Sequence, residues 1–108
     1  MKYCCLNDQR TGDAYFEFQK GTGEEHWLND SIYLDADVFD DLNLWQLFQT
    51  TLPHFNYYGL TPVTMDEWHR LREAAAKLSP EVKQAVEELD AWARTCFLTD
   101  PQFTICGV

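Results

Sequence analysis

The spacing of apolar residues along this chain changes more than once, and each change marks an element. Residues 2–6 are short and apolar, and 7–13, with Thr11, Gly12 and Asp13, read as a turn. From 14 to 19 the pattern alternates. Phe16 and Phe18 fall on one face and Tyr15, Glu17 and Gln19 on the other, as in a half-buried strand. Gly21, Thr22 and Gly23 interrupt it; no helix opens after them and no lysine follows, so they predict a hairpin loop and not a phosphate cradle. Residues 31–34 resume the alternation, with Ile32 and Leu34 facing inward.

The period then lengthens to that of a helix. Val38, Leu42, Trp45, Phe48 and Leu52 share a stripe that Phe39, Leu44 and Leu47 widen. One helix is therefore expected from an Asp35 or Asp37 N-cap to Pro53, with Trp45 in the core. Residues 54–59 read as an edge strand or an ordered loop. Thr64 and Glu67 form a capping box opening a helix whose inner face is Trp68, Leu71, Ala75 and Leu78. Ser79 and Pro80 start the next, with Val82, Val86, Leu89, Ala93 and Cys96 inward. Residues 103–106 predict a last strand. Together these give a single α+β domain over 1–108: a small antiparallel sheet, N-terminal strands plus a C-terminal strand, packed against about three helices.

Composition narrows the class. A chain of 108 residues can build a core without metal or disulfide staples, and 15% aromatic content is foreign to an acidic disordered tail. Cys4, Cys5, Cys96 and Cys106 match neither a CxxC pair nor a zinc spacing, so free thiols are expected. The first residues lack the apolar run of a signal peptide, and no stretch is long enough to span a bilayer; a cytoplasmic setting is the expectation.

Charge changes the picture most. The net charge is −10, and residues 21–69 carry nine carboxylates with no lysine or arginine, leaving nine acids against eight bases elsewhere. In the C-terminal helices Asp66 and Arg70, Glu73 and Lys77, and Asp90 and Arg94 stand four apart, the favourable order for compensation. The acids from 24 to 41 have no such neighbours. Helix capping by Asp35, Asp37, Asp40 and Asp41 and a loop decorated by Glu24 and Glu25 explain their positions. The absence of every base is not explained that way. An uncompensated field of this kind steers a basic partner inward and repels the phosphates of nucleic acid. Tyr57, Tyr58 and Trp27 are expected to be exposed, and aromatic anchors within a charged rim suit an interface. The partner-binding candidates are Glu24, Glu25, Asp35, Asp37, Asp40, Asp41, Tyr57 and Tyr58.

Catalytic, cofactor and metal chemistry find little footing. His26, His54 and His69 stand in no recognisable relation to a nucleophile. An EF-hand beginning at Asp35 fails, because Asp40 stands where glycine is required and Gln46 where glutamate is. An enzyme would need His54 or His69 to meet a carboxylate in a pocket. A DNA-mimic inhibitor would need a broad, regular array of acids.

Three features carry a family resemblance: the strand at 31–34 running into the acidic helix at 35–41, the segment Phe55-Asn56-Tyr57-Tyr58-Gly59, and Thr64-x-x-Glu67-Trp68 opening the next helix. In these the chain resembles the small cytoplasmic immunity proteins of bacterial polymorphic-toxin and contact-dependent inhibition systems. The resemblance implies a protein that binds a cognate toxin, often a basic nuclease, and blocks its active site or an essential surface. It implies no particular site residues.

Overall fold

The computed structural model describes residues 1–23 and 25–108. Strands β1 (Cys4–Cys5), β2 (Tyr15–Lys20), β3 (Ile32–Asp35), β4 (Leu60–Thr64) and β5 (Gln102–Cys106) form one antiparallel sheet in the order β1-β3-β2-β5-β4. Helices α1 (Ala36–Asp41), α2 (Leu44–Thr51), α3 (Met65–Ala75) and α4 (Pro80–Phe97) complete the α+β fold. The C-terminal strand is an inner one: β5 pairs Phe18 with Ile105 on one side and Val63 with Phe103 on the other. Among the described residues no helix is long and apolar enough to cross a membrane.

Alternation on the strands decides where the core lies. Phe16, Phe18, Ile32, Leu34, Val63, Phe103 and Ile105 share the face that the helices cover, and all are buried. Phe103 packs against Trp68, Trp92 and Phe97, while Phe16 packs against Phe39 and Tyr57. The expected helix ends also appear. Thr64 and Glu67 cap α3 reciprocally, and Ser79 accepts from the Val82 N–H with Pro80 in the first turn.

Three expectations need correction. The helix foreseen from 35 to Pro53 is two helices, broken where Asn43 takes a left-handed conformation (φ 54°) that asparagine tolerates. The break rephases the apolar stripe, so Phe39, Leu44, Leu47, Phe48 and Leu52 are buried and Trp45 is 46% exposed instead of core. Of the two readings of 54–59 the loop holds, and an edge strand follows it at Leu60–Thr64, where the missing N–H of Pro62 costs no ladder bond. Leu78 lies beyond the end of α3 and is exposed. The spacing of Asp90 and Arg94 does yield an ion pair at 3.1 Å, whereas Glu73 pairs backward with His69 at 2.7 Å.

The N-terminal segment is tied down by one side chain of α4. The Glu88 carboxylate accepts from the backbone N–H groups of Lys2, Tyr3 and Cys4 at 3.0, 2.9 and 2.9 Å, and from Gln84 at 3.0 Å. Burial pushes this carboxyl upward, but the bonds from Gln84 and the three backbone groups outweigh it and hold its pKa below the ordinary 4.5. Glu88→Ala leaves those N–H groups without an acceptor and should cost roughly 3 kcal/mol in denaturant unfolding. A lowered folded pKa stabilises above the ordinary value and is lost as pH falls through the folded one. The gap between wild type and variant should therefore be full above pH 4.5 and narrow below it.

Candidate functional site

The acids and tyrosines singled out by charge are joined by the way β3 runs into α1. Asp35 ends β3 and caps the helix, its side chain accepting from the Asp37 N–H at 2.7 Å. The short helix turns Ala36 and Phe39 inward and leaves Asp37, Asp40 and Asp41 exposed. Phe39 lies 4.2 Å from Phe16 between ring centroids, which fixes α1 on β2. Tyr57 meets the same pair of rings, edge-on to Phe16 at 5.0 Å and to Phe39 at 6.0 Å. Its hydroxyl then reaches out to donate to Asp40, 3.0 Å from Oδ1 and 3.1 Å from Oδ2.

The backbone on which Tyr57 sits is clamped by the end of β5. Val108 N–H donates to the Tyr57 carbonyl at 3.0 Å and Gly107 N–H to the Gly59 carbonyl at 2.8 Å. Gly107 is pressed so closely onto the Tyr57 carbonyl that a side chain there has no room. Tyr58, with its ring 4.8 Å from that of Tyr57, is 79% exposed. Among the described residues no ion pair involves Asp35, Asp37, Asp40 or Asp41. One end of the molecule thus presents unpaired carboxylates beside a braced aromatic pair.

Other candidates lie elsewhere. Glu25 belongs to the 21–31 connection, its carbonyl accepting from Gln19 at 3.3 Å on the face of the sheet away from the helices. Glu24 lies outside the described residues. Tyr57 is half-buried, not exposed as expected, because its ring completes the Phe16 cluster. Trp27 is also half-buried, since the Arg10 guanidinium stacks over it at 3.9 Å.

The second sheet face holds a charged group that alternation placed opposite Phe16 and Phe18. Glu17 is 0% exposed at the centre of β2. Its carboxylate takes the Leu28 N–H at 2.8 Å, Ser31 Oγ at 2.7 Å and Tyr33 OH at 3.1 Å, with His26 Nδ1 at 2.6 Å. The 21–31 connection is long enough to fold back over this face, and its length is the only sequence signal. Gly23 lets it approach: a Cβ there would sit 2.8 Å from Thr104. Burial pushes the Glu17 carboxyl up, but the bonds from Leu28, Ser31, Gln19 and His26 prevail and hold it low.

A histidine therefore meets a fully buried carboxylate, but it is His26 and not His54 or His69. His54 binds the Pro62 carbonyl at 2.7 Å and stands 3.8 Å from Glu67, while His69 pairs with Glu73; both histidines are exposed. Glu17 spends its oxygens on the loop that covers it, which makes the contact a structural tie. Among the described residues no group of three His, Cys, Asp or Glu side chains is placed to hold a metal ion.

Comparison with protein-family models, with characterised proteins and with solved structures finds no match for this chain. The site rests on its own geometry.

Burial, the Asp40 hydrogen bond and the Asp40 charge push the Tyr57 phenol up to about 12, and burial with Glu17 does the same for Tyr33. Alkaline absorbance titration should resolve a phenolate component near pH 12 that loses one tyrosine equivalent in Tyr57→Phe. Asp40→Asn should move that equivalent to lower pH. A raised phenol pKa keeps the Tyr57–Asp40 tie intact at neutral pH and releases it only as pH climbs through the folded value.

Proposed function

We propose that this protein is an acidic protein-binding inhibitor of the immunity type, which engages a basic partner, in the first instance a cognate toxin domain, through the end formed by α1 and Tyr57–Tyr58. The observation that carries the reading is the union of unpaired Asp37, Asp40 and Asp41 with a tyrosine pair braced by Asp40 itself. Carboxylates without an ion-pair partner among the described residues keep their field for an incoming cation, which raises the encounter rate. Tyr58 supplies an exposed ring at low entropic cost, because Tyr57 and the Asn56 side chain, which accepts from the Tyr58 N–H at 3.0 Å, already order its backbone. The acids concentrate on one short helix, which favours local capture of a basic surface over a DNA-like array.

The test begins with capture of partners from the native host at low salt, followed by association kinetics with the purified partner. A basic partner is expected, and its association should slow steeply as salt shortens the Debye length below ~10 Å. Charge reversal by Asp40→Lys with Asp41→Lys should slow association by roughly tenfold or more at low salt. Tyr58→Ala should instead speed dissociation. Co-expression with a partner that proves toxic should restore growth, and the charge-reversed variant should not. Retention of no basic protein, or kinetics indifferent to salt and to both aspartates, would sink the reading.

A further inference from the structure

Between α3 and the last turns of α4 lies a hollow of about 360 Å³ whose lining includes two arginines, a histidine and one carboxylate. Trp68 and Phe97 form apolar walls, with Met65 and Leu98 at the rim. Leu98 is 83% exposed and Met65 is also largely uncovered, an unusual arrangement for large apolar side chains around a concave surface. Arg72, Arg94, His69 and Asp90 supply its polar groups.

Asp90 is 2% exposed and organises the polar part of the hollow. Its Oδ1 accepts from the Trp68 indole N–H at 2.9 Å and lies 3.2 Å from Arg72 Nε, while Oδ2 lies 3.1 Å from Arg94 Nε. Those distances allow charge pairing, yet neither guanidinium N–H is aimed along a hydrogen bond. Among the described residues, buried Arg72 Nε and Asp90 Oδ2 are left without a hydrogen-bond partner. Such atoms are uncommon in folded proteins and call for an explanation. Arg72 also faces Glu87 at 3.6 Å, and His69 beside it faces Glu73. Among the described residues Arg94 has only Asp90 as an ion-pair partner, and its side chain is 73% exposed. Two guanidinium groups bring more N–H donors than these carboxylates accept.

We propose that this hollow binds a small amphipathic carboxylate, its apolar body against Trp68, Phe97 and Leu98 and its carboxylate on the open edge of the Arg94 guanidinium, with Arg72 behind. The size lies within the range of small-molecule sites, and apolar walls with a few convergent polar groups are their usual composition. An amine would meet two arginines, and a neutral amphiphile would leave the donor edge unused. None of its lining residues belongs to the acidic end.

The test is an NMR titration of the full chain with sodium decanoate, with decylammonium and 1-decanol as controls, all below the concentrations at which they aggregate. Decanoate is expected to give saturable shifts at the Trp68 indole N–H and at the Arg94 and Leu98 amides, and to bind more tightly than either control. Arg94→Gln should weaken it roughly tenfold, the loss of one hydrogen bond to a charged group. Leu98→Asp should weaken it as well. Both positions are exposed, so the variants should fold, and an unshifted Trp92 indole signal checks that they do. Absence of saturation, equal binding of decanol or decylammonium, shifts centred elsewhere, or indifference to Arg94→Gln would overturn the proposal.

Discussion

A carboxylate at the centre of a sheet has to be surrounded by donors, and Glu17 draws the architecture of the second sheet face around that need. Because neighbouring residues on a strand point to opposite faces, β2 faces two environments at once. Phe16 and Phe18 enter the aromatic core beneath the helices. Glu17 enters a polar core whose donors come from the 21–31 connection and β3. Ser31 and Tyr33 come from the chain entering and forming β3, so the carboxylate locks the strand and its loop together. Arg10 closes the assembly from outside by stacking on Trp27, whose ring lies 5.8 Å from Tyr33. Glu88 plays the corresponding part for the N-terminal segment. Two buried acids thus do structural work and leave the field of the molecule to the exposed ones.

That division gives the acidic end its character. The same Phe16 that borders Glu17 in sequence holds Phe39 of α1 and Tyr57, so the unpaired aspartates stand on a support continuous with the central strand. A surface braced in this way loses little freedom when it binds. The inhibitor reading rests on that rigidity as much as on charge, since a flexible acidic loop would present the same field at greater entropic cost. In the hollow between α3 and α4, Asp90 gathers two arginines.

Much of the fold was legible because period and caps are local. The alternation of β2 and β3, the capping box at Thr64 and Glu67, and the Ser79-Pro80 start each depend on residues close in sequence. What escaped depends on distant contacts or on a single dihedral. The left-handed turn at Asn43 shifts the helical phase by an amount no stripe reveals, and it sends Trp45 outward. The burial of Glu17 depends on where an irregular connection folds back, which no periodicity encodes. At the acidic end, Asp40 and Tyr58 were legible as candidates from charge and aromatic content. The bond between Tyr57 and Asp40 was not, because it joins residues 17 apart across a break in the helix.

The dependence of the second face on Glu17 can be measured most directly by following its carboxyl carbon by NMR as pH is lowered. The account predicts a midpoint below the ordinary 4.5, with the amide of Leu28 and the hydroxyl-bearing Ser31 and Tyr33 changing in step as the carboxylate takes up its proton. A midpoint at or above the ordinary value, or titration of Glu17 without response from those three residues, would contradict it.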